Sequence, residues 1–401
     1  MRKKRWKKAA SILTAGTMAV MLFAGCGSSS SGGSTSSSSG STSASSSSAS
    51  AAADTATTSS GSASGSAVPG MTNEDIIKEA AGQGKVGNWG LGNEYEIQAL
   101  LAKYDLPTDY LSQDYTMDGF DDDSILLASA MTYNELGLVK NDYDGGYGYG
   151  DDVGIIDMND EGVAMLEDNI FCTKEFAEEN PQTVEAFLYA SLKGWQYAVE
   201  HPDEAAQIVY EAGSSVSKDH QKYMAEQVAK LVTTDTSGNA VASGDIGEMN
   251  ESSMQQTLDL AKKYAQLDDS SAQDKLESMT LDDIRDTQYY EAAKASDGNF
   301  KPEKTDVSIQ LKWLPQSQFM GYYVAQAKGY YEDVGLNVNI VSGGGDISET
   351  TAVNNGTVDF GVTWVTNLAS ANAGGMDLLE VAQIFQRSGL VLVYKPENFE
   401  K

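Results

Sequence analysis

Short apolar runs and helical patterns alternate along the C-terminal third of the chain. Runs rich in β-branched residues, such as 307–312 and 336–341, are separated by stretches with apolar residues at intervals of three and four. The runs predict strands and the spaced stretches predict helices. Residues 85–131 show the same alternation. Because strands that alternate with helices form mostly parallel sheets, the pattern predicts an α/β fold with two lobes.

The segment between these two regions has the periodicity of helices alone. From residue 180 to 294, apolar residues recur every three or four positions, and Pro181 and Pro202 stand where helices would begin. The two histidines of the chain, His201 and His220, fall in charged helical surroundings with few partners for a site. We therefore expect both to be solvated, and the segment to be structural.

The N-terminus has the features of an export signal. Six Lys and Arg residues within positions 1–8 precede an apolar stretch, residues 9–25, that ends in Leu-Phe-Ala-Gly before Cys26. Small residues before a cysteine resemble a lipoprotein processing site, and the stretch is shorter than the roughly 20 residues of a membrane-spanning helix. We expect a signal peptide over 1–25, cleavage before Cys26 and a lipid on that cysteine. The alternative is an uncleaved membrane anchor.

Composition narrows the range of partners. Residues 26–70 are nearly all Ser, Gly, Ala and Thr, which predicts a flexible tether. The net charge is −31, and removal of the six leader cations makes it −37, so we expect no nucleic-acid partner. Once Cys26 carries a lipid, Cys172 has no partner for a disulfide. With two histidines, we also expect no metal site, no His-dependent catalytic triad and no cofactor.

Aromatic and polar residues cluster where four predicted strands end. The clusters are Trp89–Glu94, Met131–Glu135, Trp313–Gln316 and Thr363–Trp364. Aromatic faces stack on flat rings, while amides and carboxylates select ring edges, so the combination suits a small heterocycle. One such aromatic residue by itself is as often part of the core. Four clusters at the carboxyl ends of strands, where ligands bind in such folds, favour a binding site.

Two loops carry weaker signals. The glycine-rich turn Ser342–Ile347 could present backbone amides to an anion, but it lacks the ending of a phosphate-binding loop, which favours a simple tight turn. The acidic, tyrosine-rich segment 141–152 lacks the ligand spacing of a calcium loop, which favours a flexible surface loop.

Seven longer stretches of the sequence together carry a resemblance to known proteins. They are NWGLGNE (88–94), MTYNE (131–135), NDEGVAMLEDNIF (159–171), ENPQTVEAFLYASLKGWQYA (179–198), LKWLPQSQFMGYYVAQAKGYYEDVGLNV (311–338), DFGVTW (359–364) and VAQIFQRSGLVLV (381–393). Through these segments the chain is similar to importer substrate-binding proteins related to the pyrimidine-precursor and thiamine-pyrimidine-synthase proteins, and within that group to riboflavin-binding lipoproteins. The resemblance implies a two-lobed, periplasmic-binding-protein-like fold of type II.

The resemblance also implies roles for individual side chains in a ligand pocket. Ring stacking is assigned to Trp89, Tyr133, Trp313, Tyr322 and Trp364. Recognition of the ring edges is assigned to Asn93, Glu94, Asn134, Glu135, Gln316 and Asp346.

The order of these segments is rotated relative to the family. The block that opens the family's domain lies here at the C-terminal end, 306–401, behind the block 72–294 that should follow it. We interpret this as a circular permutation in which residues 295–305 join the family's old termini. Exposed loops and termini tolerate such changes, and the new ends near Thr72 and Lys401 should then lie close together.

The resemblance implies an extracytoplasmic solute-binding protein of an ABC importer, anchored to the cell membrane by lipid and partnered with a permease. Riboflavin is the first candidate ligand, and a pyrimidine precursor of thiamine is the second. The rival interpretation is an enzyme, because the related synthases use a lysine-bound pyridoxal cofactor, a histidine and a cysteine-rich iron motif. The last two are missing from this sequence, so we expect no enzyme activity. A third possibility is that the rearranged pocket no longer closes.

Overall fold

The computed structural model describes residues 67–400, which form two five-stranded sheets and the helices around them. The strands are β1 (Val86–Asn88), β2 (Leu111–Ser112), β3 (Leu127–Met131), β4 (Gly154–Asp157), β5 (Asn169–Thr173), β6 (Asp306–Gln310), β7 (Asn337–Val341), β8 (Phe360–Thr363), β9 (Leu378–Gln383) and β10 (Leu390–Tyr394). The predicted signal peptide, Cys26 and most of the predicted tether lie outside the described residues.

The helices of this range flank both sheets. They are α1 (Asn73–Gly82), α2 (Glu94–Lys103), α3 (Asp118–Asp121), α4 (Glu135–Lys140), α5 (Lys174–Glu179), α6 (Pro181–Glu200), α7 (Pro202–Glu211), α8 (Lys218–Thr233), α9 (Glu251–Tyr264), α10 (Ser270–Ser278), α11 (Gln288–Ala295), α12 (Met320–Ala327), α13 (Tyr330–Asp333), α14 (Glu349–Asn354) and α15 (Val365–Ala373). Within residues 67–400, none of these helices has the length and apolar character needed to cross a membrane.

The two sheets have the same layout, and each defines a lobe. The first has the order β2-β1-β3-β10-β4 and the second has the order β7-β6-β8-β5-β9. In each, four strands run in one direction and the inserted strand, β10 or β5, runs antiparallel to both neighbours. We call the lobes the β1 lobe and the β6 lobe. The predicted two-lobed α/β fold is confirmed, and each sheet is mixed, with two parallel and two antiparallel strand pairings.

The lobes exchange one strand each. β5 comes from the 72–294 part of the chain but completes the β6 sheet, whereas β10 comes from the 306–401 part and completes the β1 sheet. The predicted division at residues 295–305 therefore does not separate the lobes. The reason is that the chain crosses between them through 158–168 and 384–389, and each crossing adds its next strand to the other sheet. Sequence patterns cannot show such long-range pairing.

Helix α6 forms the centre of the layer that covers the β6 sheet. Its Phe187 ring stacks on Phe360 of β8 with ring centroids 4.0 Å apart. Helices α6 and α12 approach each other closely at a pair of glycines. A Cβ on Gly194 of α6 would lie 2.1 Å from the carbonyl oxygen of Gly321 on α12, and a Cβ on Gly321 would meet the Trp195 ring. The predicted helices of the 180–294 segment are thus confirmed; α6 and α11 pack against the β6 lobe, while α8 and α9 also contact α4 and α2 of the β1 lobe.

The two described ends of the chain lie together on the β1 lobe. The backbone N–H of Ala67 donates to the Tyr394 hydroxyl at 2.9 Å, and residues 68–71 face Phe399 and Glu400 across a surface cavity. This is the arrangement that a circular permutation requires.

The segment that would join the family's old termini is anchored to the start of α6. The Glu303 carboxylate accepts hydrogen bonds from the backbone N–H of Thr183 at 2.9 Å and of Gln182 at 3.3 Å, two of the donors that a helix start leaves free. The Thr183 hydroxyl donates to the same carboxylate at 3.1 Å.

Candidate ligand-binding site

A cavity between the lobes lies at the carboxyl ends of strands from both sheets. Side chains that follow β1, β3, β6 and β8 face one another across it, which is where open α/β sheets bind ligands. Its volume is about 60 Å³, far below the roughly 300–1,000 Å³ of a typical ligand pocket. The cavity is lined by Trp89, Leu91, Tyr115, Met131, Tyr133, Asn134, Glu135, Lys312, Trp313, Gln316, Gln318 and Trp364.

The lobes are in direct contact beside the cavity. The Thr366 hydroxyl on α15 of the β6 lobe donates to the carbonyl of Gly92 in the β1 lobe at 3.1 Å. The neighbouring Asn367 amide donates to the carbonyl of Leu91, also at 3.1 Å. These contacts close the cleft at this edge of the cavity.

Aromatic rings from both lobes form the walls. Tyr115 of the β1 lobe and Trp313 of the β6 lobe meet edge to face, with ring centroids 5.2 Å apart. The ammonium of Lys312 lies 4.4 Å from the centre of the Trp364 ring, within the range of a cation–π contact. Rings on opposite lobes can enclose a flat ligand from both faces when the cleft closes.

Asp168 supports the β6-lobe wall from behind. Its carboxylate accepts a hydrogen bond from the Gln318 amide at 2.7 Å and another from the Trp364 indole N–H at 3.0 Å. It is 2 % exposed, and this burial raises the pKa of the Asp168 carboxyl to about 7, although both hydrogen bonds and the charge of Lys312 favour the ionised form. Its backbone is left-handed, with φ of 40°, where the chain turns into β5.

A buried ion pair holds Lys312 in place. Its ammonium lies 3.0 Å from the Glu349 carboxylate, which also accepts a hydrogen bond from the Thr363 hydroxyl at 2.5 Å. Both charged side chains are at most one-tenth exposed. The cavity therefore has a fixed cation over an indole face, with its charge balanced by an acid on α14.

On the opposite wall, Asn134 and Glu135 form one hydrogen-bonded unit after β3. The Asn134 amide donates to one Glu135 carboxylate oxygen at 2.7 Å, and the backbone N–H of Met131 donates to the other at 2.9 Å. Burial raises the pKa of the Glu135 carboxyl. The unit presents an amide and a carboxyl group to the edge of a ligand.

His220 is buried against this unit, so the expectation that it would be solvated is wrong. The side chain is 1 % exposed, with Nε2 at 2.8 Å from the Asn134 side-chain oxygen and Nδ1 at 2.6 Å from the Tyr143 hydroxyl. Burial lowers the pKa of the His220 imidazole to about 4. Helical periodicity placed this residue on α8 but could not show that its face of the helix meets the other lobe.

Seven of the eleven predicted ligand-contacting residues line the cavity, and four do not. Tyr322 is buried in the helical layer, edge to face with Trp195 at 5.6 Å, because its side of α12 faces α6. Asn93 is fully buried at the start of α2, and Glu94 accepts a hydrogen bond from the Gly92 backbone at 2.7 Å. Asp346 is exposed and outside the cavity. The seven are Trp89, Tyr133, Asn134, Glu135, Trp313, Gln316 and Trp364.

Several residues of the site were not predicted. Lys312 and Gln318 flank the predicted Trp313 and Gln316 in one motif, and Met131 opens the predicted Met131–Glu135 cluster, so proximity in sequence was a usable signal. Asp168 lies within a segment that carries the family resemblance, but its left-handed backbone and its partners on β6-lobe loops are visible only in three dimensions. Leu91 likewise lies within the predicted Trp89–Glu94 cluster, whereas Tyr115 had no signal of its own.

The two loops with weaker signals both make packing contacts. In the 141–152 loop, the hydroxyls of Tyr147 and Tyr149 donate to Asp118 at 3.0 Å and Asp121 at 2.6 Å, which packs the loop onto α3. In the glycine-rich turn, a Cβ on Gly343 would lie 2.1 Å from a backbone oxygen, so the turn needs glycine there for packing. Over residues 67–400, His, Cys, Asp and Glu side chains form no group of three that could hold a metal ion.

Comparison with known families identifies the chain at a coarse level. The family model described as "NMT1/THI5 like" matches residues 73–205 and 316–399, which together cover more than half of the 401 residues. The chain belongs to the NMT1/THI5-like family. This family includes substrate-binding proteins of ABC transporters and thiamine pyrimidine synthase. No individually curated protein matches the sequence. The matched segments contain every residue of the NMT1/THI5-like cavity named above except Lys312 and Trp313.

Proposed function

We propose that the protein is an extracytoplasmic solute-binding protein of an ABC importer that captures a small aromatic heterocycle. The observation that supports this most strongly is the convergence of Trp89, Tyr133, Trp313 and Trp364 on one cavity between two lobes. These rings follow four different strands, two in each sheet, so lobe closure would bring them onto both faces of a flat ligand. Asn134, Glu135 and Gln316 supply groups that can select its edges.

Riboflavin is the first candidate ligand and a thiamine pyrimidine precursor is the second, as the sequence resemblance implies. Two measurements test this. Titration of riboflavin with the purified protein should quench the flavin fluorescence, and added riboflavin should raise the melting temperature, because a ligand of the folded state stabilises it. Trp313→Ala should weaken binding at least tenfold, because it removes a stacking surface.

A matched control for this variant is Tyr210→Ala, which removes an exposed aromatic ring on α7, away from the cavity. It should leave affinity unchanged. If neither riboflavin nor the pyrimidine shifts the melting temperature of the wild-type protein, the proposed ligand class is wrong.

We propose that the protein binds without catalysis, in contrast to the synthase within the same family. Cys172 lies buried in β5, and burial raises the pKa of its thiol, which disfavours the thiolate that binds iron. His220 has both ring nitrogens hydrogen-bonded within the protein. Pyrimidine formation by the purified protein, or iron bound in stoichiometric amount, would instead support the synthase.

We also propose that a lipid on Cys26 holds the protein at the outer face of the cell membrane, where it meets its permease. The proposal rests on the basic leader, the apolar stretch and the Leu-Phe-Ala-Gly-Cys site of the sequence. Expressed in bacteria with radiolabelled palmitate, the wild-type protein should incorporate label and fractionate with membranes. Cys26→Ser should do neither; label on this variant would contradict the assignment.

A further inference from the structure

Helix α8 carries three neighbouring side chains that contact both lobes beside the cavity. His220 reaches Asn134 and Tyr143 of the β1 lobe, at 2.8 Å and 2.6 Å. One turn on, the Tyr223 hydroxyl donates to the carbonyl of Thr132 at 2.8 Å. This end of the helix therefore covers the turn after β3, which supplies one wall of the cavity.

Gln221, between those two residues, attaches the same helix to the β6 lobe. Its buried side-chain oxygen accepts hydrogen bonds from the backbone N–H of Ser317 at 2.7 Å and from the Ser317 hydroxyl at 2.6 Å. Ser317 directly follows Gln316, which lines the cavity. Because α8 also packs on α6 and α7, it belongs to the β6 lobe, and its contacts to Asn134 and Tyr143 cross the cleft.

The donor and the acceptor of each hydrogen bond around His220 can be assigned. The Asn134 amide nitrogen donates to Glu135, so the Asn134 oxygen faces the imidazole and Nε2 must carry the proton. Nδ1 is then an acceptor for the Tyr143 hydroxyl. Hydrogen bonds therefore connect Tyr143, His220, Asn134 and the Glu135 carboxylate in series. The other Glu135 oxygen accepts from the backbone N–H of Met131.

We propose that His220 is a positioning residue of the ligand pocket: carried by the β6 lobe, it engages Asn134 of the β1 lobe when the cleft closes and orients the Asn134–Glu135 pair towards the bound ring. The proposal rests on the proposed function, since it concerns the same cavity. Its consequence is that the polar edge of the pocket is ordered by closure itself. A ligand that prevents closure would meet Asn134 and Glu135 without this support.

A double-mutant cycle tests whether His220 acts through Asn134. With riboflavin as the probe, His220→Leu should weaken binding about tenfold, the scale of one lost buried hydrogen bond. Asn134→Ala should weaken it by a similar factor, and the double variant should bind like Asn134→Ala alone. Multiplicative losses would overturn the proposal, because they would mean that His220 only stabilises the fold.

Two further variants separate positioning from general packing. His220→Gln places an amide nitrogen as many bonds from Cβ as Nε2, so it should restore most of the affinity lost in His220→Leu. Tyr223→Phe breaks a contact of the same helix with the same lobe but does not touch Asn134, so its effect should multiply with that of Asn134→Ala. Failure of the Gln variant to bind better than the Leu variant would contradict the assigned donor.

A ligand-free measurement keeps the inference testable if no ligand is found. Nitrogen-15 NMR of the histidine rings in the wild-type protein should show His220 as the neutral Nε2–H tautomer from pH 8 to pH 5. Tyr143→Phe should leave this tautomer in place, because the Asn134 oxygen still accepts from Nε2–H. A His220 ring that carries its proton on Nδ1 would overturn the proposal. If NMR shows the Nε2–H tautomer but neither riboflavin nor the pyrimidine binds, the proposed ligand class is wrong, while the contact between His220 and Asn134 remains supported.

Discussion

Asp168 shows how a single carboxylate can hold two parts of a binding wall. Its two oxygens accept N–H groups from Gln318 and Trp364, and its backbone carbonyl accepts the N–H of Ile384 at 3.2 Å, so it also joins the two segments that connect the lobes. Both side-chain bonds require an acceptor. Protonation turns one oxygen into a donor and removes one of them.

Riboflavin binding should therefore weaken as the pH falls. With the pKa of Asp168 at about 7, its ionised fraction drops about tenfold between pH 8 and pH 6, and affinity should drop by a similar factor if only the ionised form supports the wall. Asp168→Asn should bind more weakly at pH 8 and show no change over this range. Isothermal titration at several pH values measures both.

The control for this prediction is Glu135→Gln, because Glu135 is another buried carboxyl of the cavity whose pKa is raised. Lys312, which favours the ionised form of Asp168, and Glu349, which opposes it, are paired with each other and stay in place in both variants. If the pH dependence survives in Asp168→Asn but disappears in Glu135→Gln, then Glu135 on the opposite wall is the titrating group. That result would contradict the prediction.

The sequence predicted single residues best where a side chain directly follows a strand. Trp89, Tyr133, Trp313 and Trp364 all fit that rule, because parallel strands bring their carboxyl ends to one edge. Residues on helices fit it poorly. Tyr322 and His220 lie on α12 and α8, where the side of the helix that faces the cavity depends on packing between elements that are far apart in sequence.

At the scale of elements, the contact between α6 and α12 depends on glycine. Gly194→Ala should destabilise the protein by about 1–3 kcal/mol, because the added Cβ meets a backbone oxygen at 2.1 Å and the helices must separate. Denaturant unfolding measures the loss. The control is Gly82→Ala at the end of α1, where an added Cβ meets nothing within 4 Å. Equal stability of the two variants would show that the helices can shift without cost.

Element types were easier to predict than their partners. The start of α6 at Pro181 and the alternation of β6, β7 and β8 with helices follow from local periodicity and the position of proline. The insertion of β5 and β10 into the opposite sheets does not, because both are short apolar runs that would fit a buried position in either lobe.

At the scale of the whole molecule, the two sheets share one layout, which explains physically why the fold would tolerate the proposed permutation. A chain that begins at β1 and one that begins at β6 both build four strands of one sheet, cross over, and insert the next strand into the other. Neither order changes a strand pairing. The two described ends lie together, so joining them needs a short connection.

A chain in the order that the proposed permutation assigns to the family should therefore keep the same fold. A rearranged chain would run from residue 296 to residue 401, continue through a short glycine-serine linker into residues 67–295, and end there, so that Glu303 keeps its contacts with α6. We expect the same circular dichroism spectrum and riboflavin affinity within about threefold of the original, because the sheet contacts are unchanged. An insoluble or unfolded product would argue that the observed order is required for folding.

The exchange of β5 and β10 has a consequence for how the molecule unfolds. Removing either strand would leave its host sheet in two pieces, since each lies between two neighbours and supplies hydrogen bonds to both. A lobe therefore cannot be cut from the chain as one continuous fragment and keep its sheet. The stabilities of the two lobes are therefore linked, and loss of one should unfold the other in a single cooperative transition.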